Sequence, residues 1–134
     1  MQVREVMVKR VVTIGPREPA KRAWELMRTN RFRHLPVVDG KRVVGIVSDR
    51  DLPSIFLSAS LDELLVEQIM TENLLTIDPE TSVEKAARLM VDRKIGSLPV
   101  VSDGELVGIV TETDLLSVLV ELLRLRTGKG PESI

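Results

Sequence analysis

The chain is written twice. Set against itself with a shift of 63 residues, it pairs Met7 with Met70, Pro36 with Pro99 and Asp51 with Asp114 without a gap. In that register residues 3–52 and 66–115 agree at about 18 of roughly 50 positions, so the sequence encodes one small unit and its copy. Each copy is too short to cover its own apolar faces, which predicts that the two pack about a pseudo-twofold axis and share a core. The expected divisions are residues 1–60, 61–126 and a frayed tail, 127–134.

Within each copy the pattern predicts strand, helix, strand, strand, helix, a mixed α/β (α+β) unit. The first strand is Val11 to Ile14, matched by Leu74 to Ile77, and each is ended by a proline, Pro16 or Pro79. A helix follows. Ala20, Ala23, Trp24 and Met27 mark its face in the first copy; Val83, Ala86, Ala87, Met90 and Val91 mark it in the second, behind a Thr81 or Ser82 cap. Two apolar strands come next, Leu35 to Val38 and Val43 to Val47, joined by Asp39-Gly40-Lys41-Arg42; the second copy turns at Ser102-Asp103-Gly104-Glu105. Their unbroken apolar runs predict strands covered on both faces. The last helix of each copy starts near Asp49 and Glu112. A packed linker, Ser54 to Val66, joins the copies, with Asp62 and Glu63 opening a short helix from a Ser60 cap.

Charge narrows the function classes. Nineteen Lys and Arg against twenty Asp and Glu leave a net charge of -1, so no global field draws the chain to nucleic acid or anionic lipid. Aromatic residues are 2% of the chain (Trp24, Phe32, Phe56), too few for base-stacking platforms. There is no Cys, hence no disulfide, thiolate metal site or cysteine nucleophile. Residues 1–10 lack the apolar run of an export signal, and Leu115 to Leu125 is broken by Glu121 and Arg124, well short of a membrane span. The expected location is the cytoplasm, with no membrane partner.

The most informative match is Gly45-Ile46-Val47-Ser48-Asp49-Arg50-Asp51-Leu52 with Gly108-Ile109-Val110-Thr111-Glu112-Thr113-Asp114-Leu115. Each runs from a strand through hydroxyl-x-x-carboxylate into a helix, and two readings stand side by side. One is a capping box, Ser48 with Asp51 and Thr111 with Asp114, worth roughly 1 kcal/mol and needing no ligand. In the other, the helix amino terminus meets an anion while the carboxylate accepts the hydroxyls of a ribose.

The order Met7, Thr13-Ile14, Leu35-Pro36-Val37-Val38-Asp39 and Gly45-Ile46-Val47-Ser48-x-x-Asp51-Leu52, with its second copy, resembles the paired cystathionine-β-synthase-type (CBS) domain family over about residues 3–125. The second half is also similar to the CBS modules of acetoin-utilisation-type proteins. The resemblance implies a regulatory module that binds AMP, ADP, ATP or sometimes S-adenosylmethionine, needs no cofactor, and pairs into a disc-like homodimer. It implies ribose at Asp51 and Asp114, with Ser48 and Thr111 near ribose or phosphate. One implied pocket joins Thr111, Thr113 and Asp114 to Arg33, His34, Met7 and Val8. The other joins Ser48, Arg50 and Asp51 to Thr71, Ile95, Gly96 and Ser97. Val8 stands where the copy has Thr71, and Thr113 where the copy has Arg50, so the pockets are expected to differ in affinity.

His34 is the only histidine and, with no second imidazole or thiol, cannot anchor a common zinc or iron site; beside Arg33 it suits a phosphate. Met27 and Met90 read as core fillers, and Arg17, Lys21 and Arg22 as a solvated face. Leu115, Leu116, Leu119, Leu122 and Leu123, with Val118 and Val120 between, surround the last helix with apolar side chains, which predicts dimerisation. Three functions are weighed: a nucleotide sensor acting on itself or on an unidentified partner protein, a structural dimerisation module with vestigial pockets, and a hydrolase using Ser48 or Thr111 with Asp51 and His34. The third fits poorly, because a hydroxyl and carboxylate at i and i+3 form a cap, with no base orienter or glycine elbow.

Overall fold

The computed structural model describes residues 1–52 and 63–128. The expected Ser60 cap, most of the linker and residues 129–134 of the tail lie outside the described residues. Thr127, placed in that tail by the sequence, is the last residue of a helix that Gly128 closes with a left-handed φ of 67°.

The elements run α1 (Ala20–Asn30), β1 (His34–Asp39), β2 (Arg42–Ser48), α2 (Val66–Ile69), α3 (Val83–Arg93), β3 (Ser97–Ser102), β4 (Glu105–Thr111) and α4 (Glu112–Thr127). Two antiparallel hairpins, β1–β2 and β3–β4, match pair for pair: His34 faces Ser48 as Ser97 faces Thr111, and each has a bulge after Val37 or Val100. The turns differ. Asp103 and Gly104 are both left-handed (φ 52° and 79°), the primed turn that suits an Asp-Gly pair, whereas Gly40 supplies the positive φ of 66° in the first loop. Loop length is the same, so the repeat needs no gap. The central strands are covered on both faces as expected: Leu35 and Val37 on one face and Pro36 on the other are fully buried, as are Leu98, Val100 and Pro99.

The predicted first strand of each copy contracts to one bridge, Ile14 beside Val37 and Ile77 beside Val100. The Ile14 amide donates to the Pro36 carbonyl at 3.1 Å and its carbonyl accepts from Val38 at 2.9 Å; Ile77 repeats this with Pro99 and Val101. The ladder stops on both sides for one reason. The next rung upstream needs an amide from Pro36 or Pro99, the next downstream one from Pro16 or Pro79, and proline has none to give.

The copies do not share a single core. There are two clusters, and each takes in the leading segment of the other copy. Val3 joins Ile77, Ala86, Met90 and Leu98; Val66 joins Ile14, Ala23, Met27 and Leu35. Backbone bonds fix the exchange symmetrically, Val3 to Thr81 at 2.7 Å and Val66 to Glu18 at 2.8 Å. Burying each valine fully is worth about 1.5–3 kcal/mol, so neither copy is complete until the other supplies its segment. Ser82 caps α3 by accepting from the Lys85 amide at 3.0 Å. Val91, expected on the inner face of α3, is exposed; Leu89 packs on that core instead.

Candidate ligand-binding cleft

The hairpins bring the ends of β2 and β4 to one hollow of about 800 Å³. Its walls come from both copies. Thr111, Thr113, Asp114, Arg33 and His34, assigned by resemblance to one pocket, line it together with Ser48, Arg50, Thr71, Ile95, Gly96 and Ser97, assigned to the other. The two expected pockets are thus one continuous cleft.

Three assigned residues do not line it. Met7 packs on Gly108, where a β-carbon would lie 2.6 Å from its sulfur, and belongs to the second core. Val8 pairs with Ile109, its amide donating to the Ile109 carbonyl at 2.9 Å, and its side chain is exposed outside the hollow. Asp51 turns its carboxylate onto Ser48, whose amide and hydroxyl donate to Oδ2 at 3.3 and 3.0 Å.

The capping reading of the hydroxyl-x-x-carboxylate motif is therefore correct in its hydrogen bonds. At α4 the Thr111 amide and hydroxyl donate to Asp114 Oδ2 at 2.8 and 3.0 Å, and the Asp114 amide donates to Thr111 Oγ1 at 3.4 Å. The cap does not exhaust the carboxylate: Asp114 Oδ1 has no bonded partner among the described residues. In the first copy the same motif opens a 3-10 turn, Asp49–Asp51.

His34 lies over Gly96. A β-carbon there would stand 2.9 Å from His34 Nε2 and 2.9 Å from Glu112 Oε1, so the glycine makes room for both. Burial pushes the His34 pKa down, against the pull of Asp49 and Glu112 and with the help of Arg33 and Arg50. Ser97, which follows Gly96, is buried. Among the described residues no three His, Asp or Glu side chains converge as metal ligands.

The sequence reading missed the apolar wall, Ile46, Leu74, Leu75 and Pro99, and the cations Arg31, Arg93 and Lys94. Arg31 and Lys94 are 63 residues apart, and each ends a helix in the left-handed conformation, φ 57° and 53°. Because glycine is favoured there, a basic residue at both positions was a signal open to inspection.

The CBS domain profile matches residues 3–57 and 66–121. An inosine-5'-monophosphate dehydrogenase of Korarchaeum cryptofilum is 39% identical over 110 residues, which are 81% of this chain and 22% of that enzyme. An uncharacterized protein of Methanopyrus kandleri, MK0525, is 35% identical over 122 residues, 88% of this chain and 62% of that protein. The chain thus spans under two thirds of either relative. A CBS domain-containing protein of Dictyostelium discoideum is 35% identical, with 90% and 92% covered.

Among solved structures, a protein assigned to acetoin utilization (AcuB) from Vibrio cholerae superposes with a TM-score of 0.86 at 32% identity, covering 98% of both chains. CBSX2 in complex with AMP gives 0.81 at 31% identity, covering 92% and 98%. The CBS domain pair of protein MJ0100, in complex with 5-methylthioadenosine and S-adenosyl-L-methionine, gives 0.81 at 27%, covering 89% and 95%. With both copies matched and nearly every described residue superposed, the chain belongs to the CBS-domain family, as a tandem pair of CBS repeats.

Proposed function

We propose that this chain is a cytoplasmic regulatory module that holds an adenine nucleotide, AMP, ADP or ATP, in the cleft between its repeats and catalyses no reaction. One observation carries the reading. The Asp114 carboxylate is fixed by its cap at the start of α4, lines the cleft and keeps Oδ1 open. A carboxylate so held accepts hydrogen bonds from a vicinal diol, while the helix terminus and Arg33 suit a phosphate. Ile46, Leu74, Leu75 and Ile95 supply the apolar wall that a purine needs. The adenosine compounds held by CBSX2 and the MJ0100 pair support the ligand class. Chemistry is disfavoured because the Ser48 and Thr111 hydroxyls each donate to their own aspartate, and among the described residues no imidazole bonds either one.

The test is calorimetric titration of the wild type, Asp51→Ala and Asp114→Ala with AMP, ATP and S-adenosylmethionine. A nucleotide should bind, and Asp114→Ala should weaken it about tenfold or more, the loss of one charge-assisted bond. Equal binding by both variants would refute the diol assignment. Tightest binding of S-adenosylmethionine would make the module a sensor of that compound.

A structural dimerisation module with vestigial pockets is the second reading, and α4 favours it. Leu116, Leu119, Val120, Leu122, Leu123 and Leu125 are all exposed on that helix. A second copy of this chain is the proposed cover, and it belongs to both readings. Light scattering at micromolar concentration should give a dimer and Leu122→Glu a monomer; a monomeric wild type ends the dimer proposal. Absence of binding by every adenosine compound would leave only the structural role.

A further inference from the structure

The whole chain carries a net charge of -1, yet its cleft is basic. Arg33 is balanced by Asp49 at 3.9 Å. Four other cations line the hollow, Arg31, Arg50, Arg93 and Lys94, and none of them meets a carboxylate in an ion pair among the described residues. Only Asp114 and Glu112 remain on the lining to set against them. The dipole of a helix favours a cation at its carboxyl end, which accounts for Arg31 on α1 and for Arg93 and Lys94 on α3 taken singly. It does not account for both helix ends opening on one cleft beside Arg50. The left-handed backbone at Arg31 and Lys94 makes the point stronger, because a side chain there costs about 1 kcal/mol that glycine avoids.

We propose that the cleft selects its ligand by charge. Arg31, Arg50, Arg93 and Lys94 form a polyanion subsite that favours a triphosphate chain over a monophosphate and disfavours a sulfonium cation. This rests on the reading that an adenosine compound occupies the cleft. The side chains are exposed, so each acts through partly screened Coulomb attraction; together they separate ATP from AMP by about tenfold at low ionic strength, a margin that salt erodes.

The experiment titrates the full chain with ATP, AMP, adenosine, S-adenosylmethionine and sodium tripolyphosphate at low and high salt. It compares the wild type with the triple variant Arg31→Asn/Arg93→Gln/Lys94→Asn, since asparagine tolerates the left-handed positions. The expected result is that ATP binds the wild type about tenfold tighter than AMP, and that the margin collapses in the variant and at high salt. Adenosine should bind both proteins within about twofold, and tripolyphosphate should displace ATP from the wild type alone. A variant that keeps the ATP-to-AMP margin overturns the proposal, as does S-adenosylmethionine binding the wild type as tightly as ATP. So does a wild-type ATP affinity indifferent to salt, a readout independent of how the variant folds. In those three cases bound adenosine leaves the ligand class standing, whereas failure of every adenosine compound overturns both.

Discussion

His34 and Gly96 occupy one space: a β-carbon on Gly96 would stand 2.9 Å from the imidazole Nε2. The residues come from opposite repeats, so the absence of a side chain in one copy is what admits the imidazole of the other. Gly96→Ala should move His34 and Glu112 off the cleft floor. Both intruding atoms end flexible side chains, so stability should fall by less than about 1 kcal/mol. AMP affinity should fall about fivefold, and the His34 ring resonances should shift. Unmoved resonances would refute the contact.

Gly108 behaves differently under the same substitution. Its β-carbon would meet Met7 Sδ at 2.6 Å and the Val8 carbonyl oxygen at 3.1 Å, a core side chain and a backbone atom. Gly108→Ala should cost about 1–3 kcal/mol in urea denaturation, as overpacking does. Adding Met7→Ala should give a total below the sum of the single losses, and strict additivity would count against the packing.

The pH dependence follows from His34. Its folded pKa lies below the ordinary 6.5, chiefly through burial. Between the two values the unfolded chain binds more protons, so this contribution to stability is complete above about pH 6.5 and is lost as pH falls toward the folded pKa. Wild type should weaken relative to His34→Gln between about pH 7.5 and 5.5 in urea denaturation. A bound phosphate favours imidazolium, so AMP affinity should rise over the same fall in pH. Parallel stability curves for wild type and variant would exclude the effect.

Two caps separate structure from binding. Ser82 and Thr111 each accept from a helix amide, at 3.0 and 3.4 Å, but only Thr111 also lines the cleft and donates to Asp114. Ser82→Ala and Thr111→Ala should each cost about 1 kcal/mol. Thr111→Ala alone should weaken AMP, because it releases the carboxylate that the cap orients. Equal AMP affinity in the two variants would show that the cap does not position Asp114.

Much of this protein can be read along the chain because the signals are local. The hairpin turns and the caps depend on residues a few positions apart: Asp103-Gly104 turns because of its own backbone freedom, and Thr111 meets Asp114 because they are one helical turn apart. The proline positions that trim the first strands were equally visible, but their effect required knowing which rung each missing amide would have filled.

The tertiary structure decided what depends on distance across the pseudo-twofold axis. That Val3 completes the second core and Val66 the first, that Met7 is consumed in packing while Arg93 and Lys94 reach the cleft, and that two expected pockets merge into one, are all set by how the two copies pack against each other. A repeat in sequence specifies two equal surfaces and leaves open which parts of them meet. That choice is made by burial summed over the assembled pair, and no window of neighbouring residues contains it.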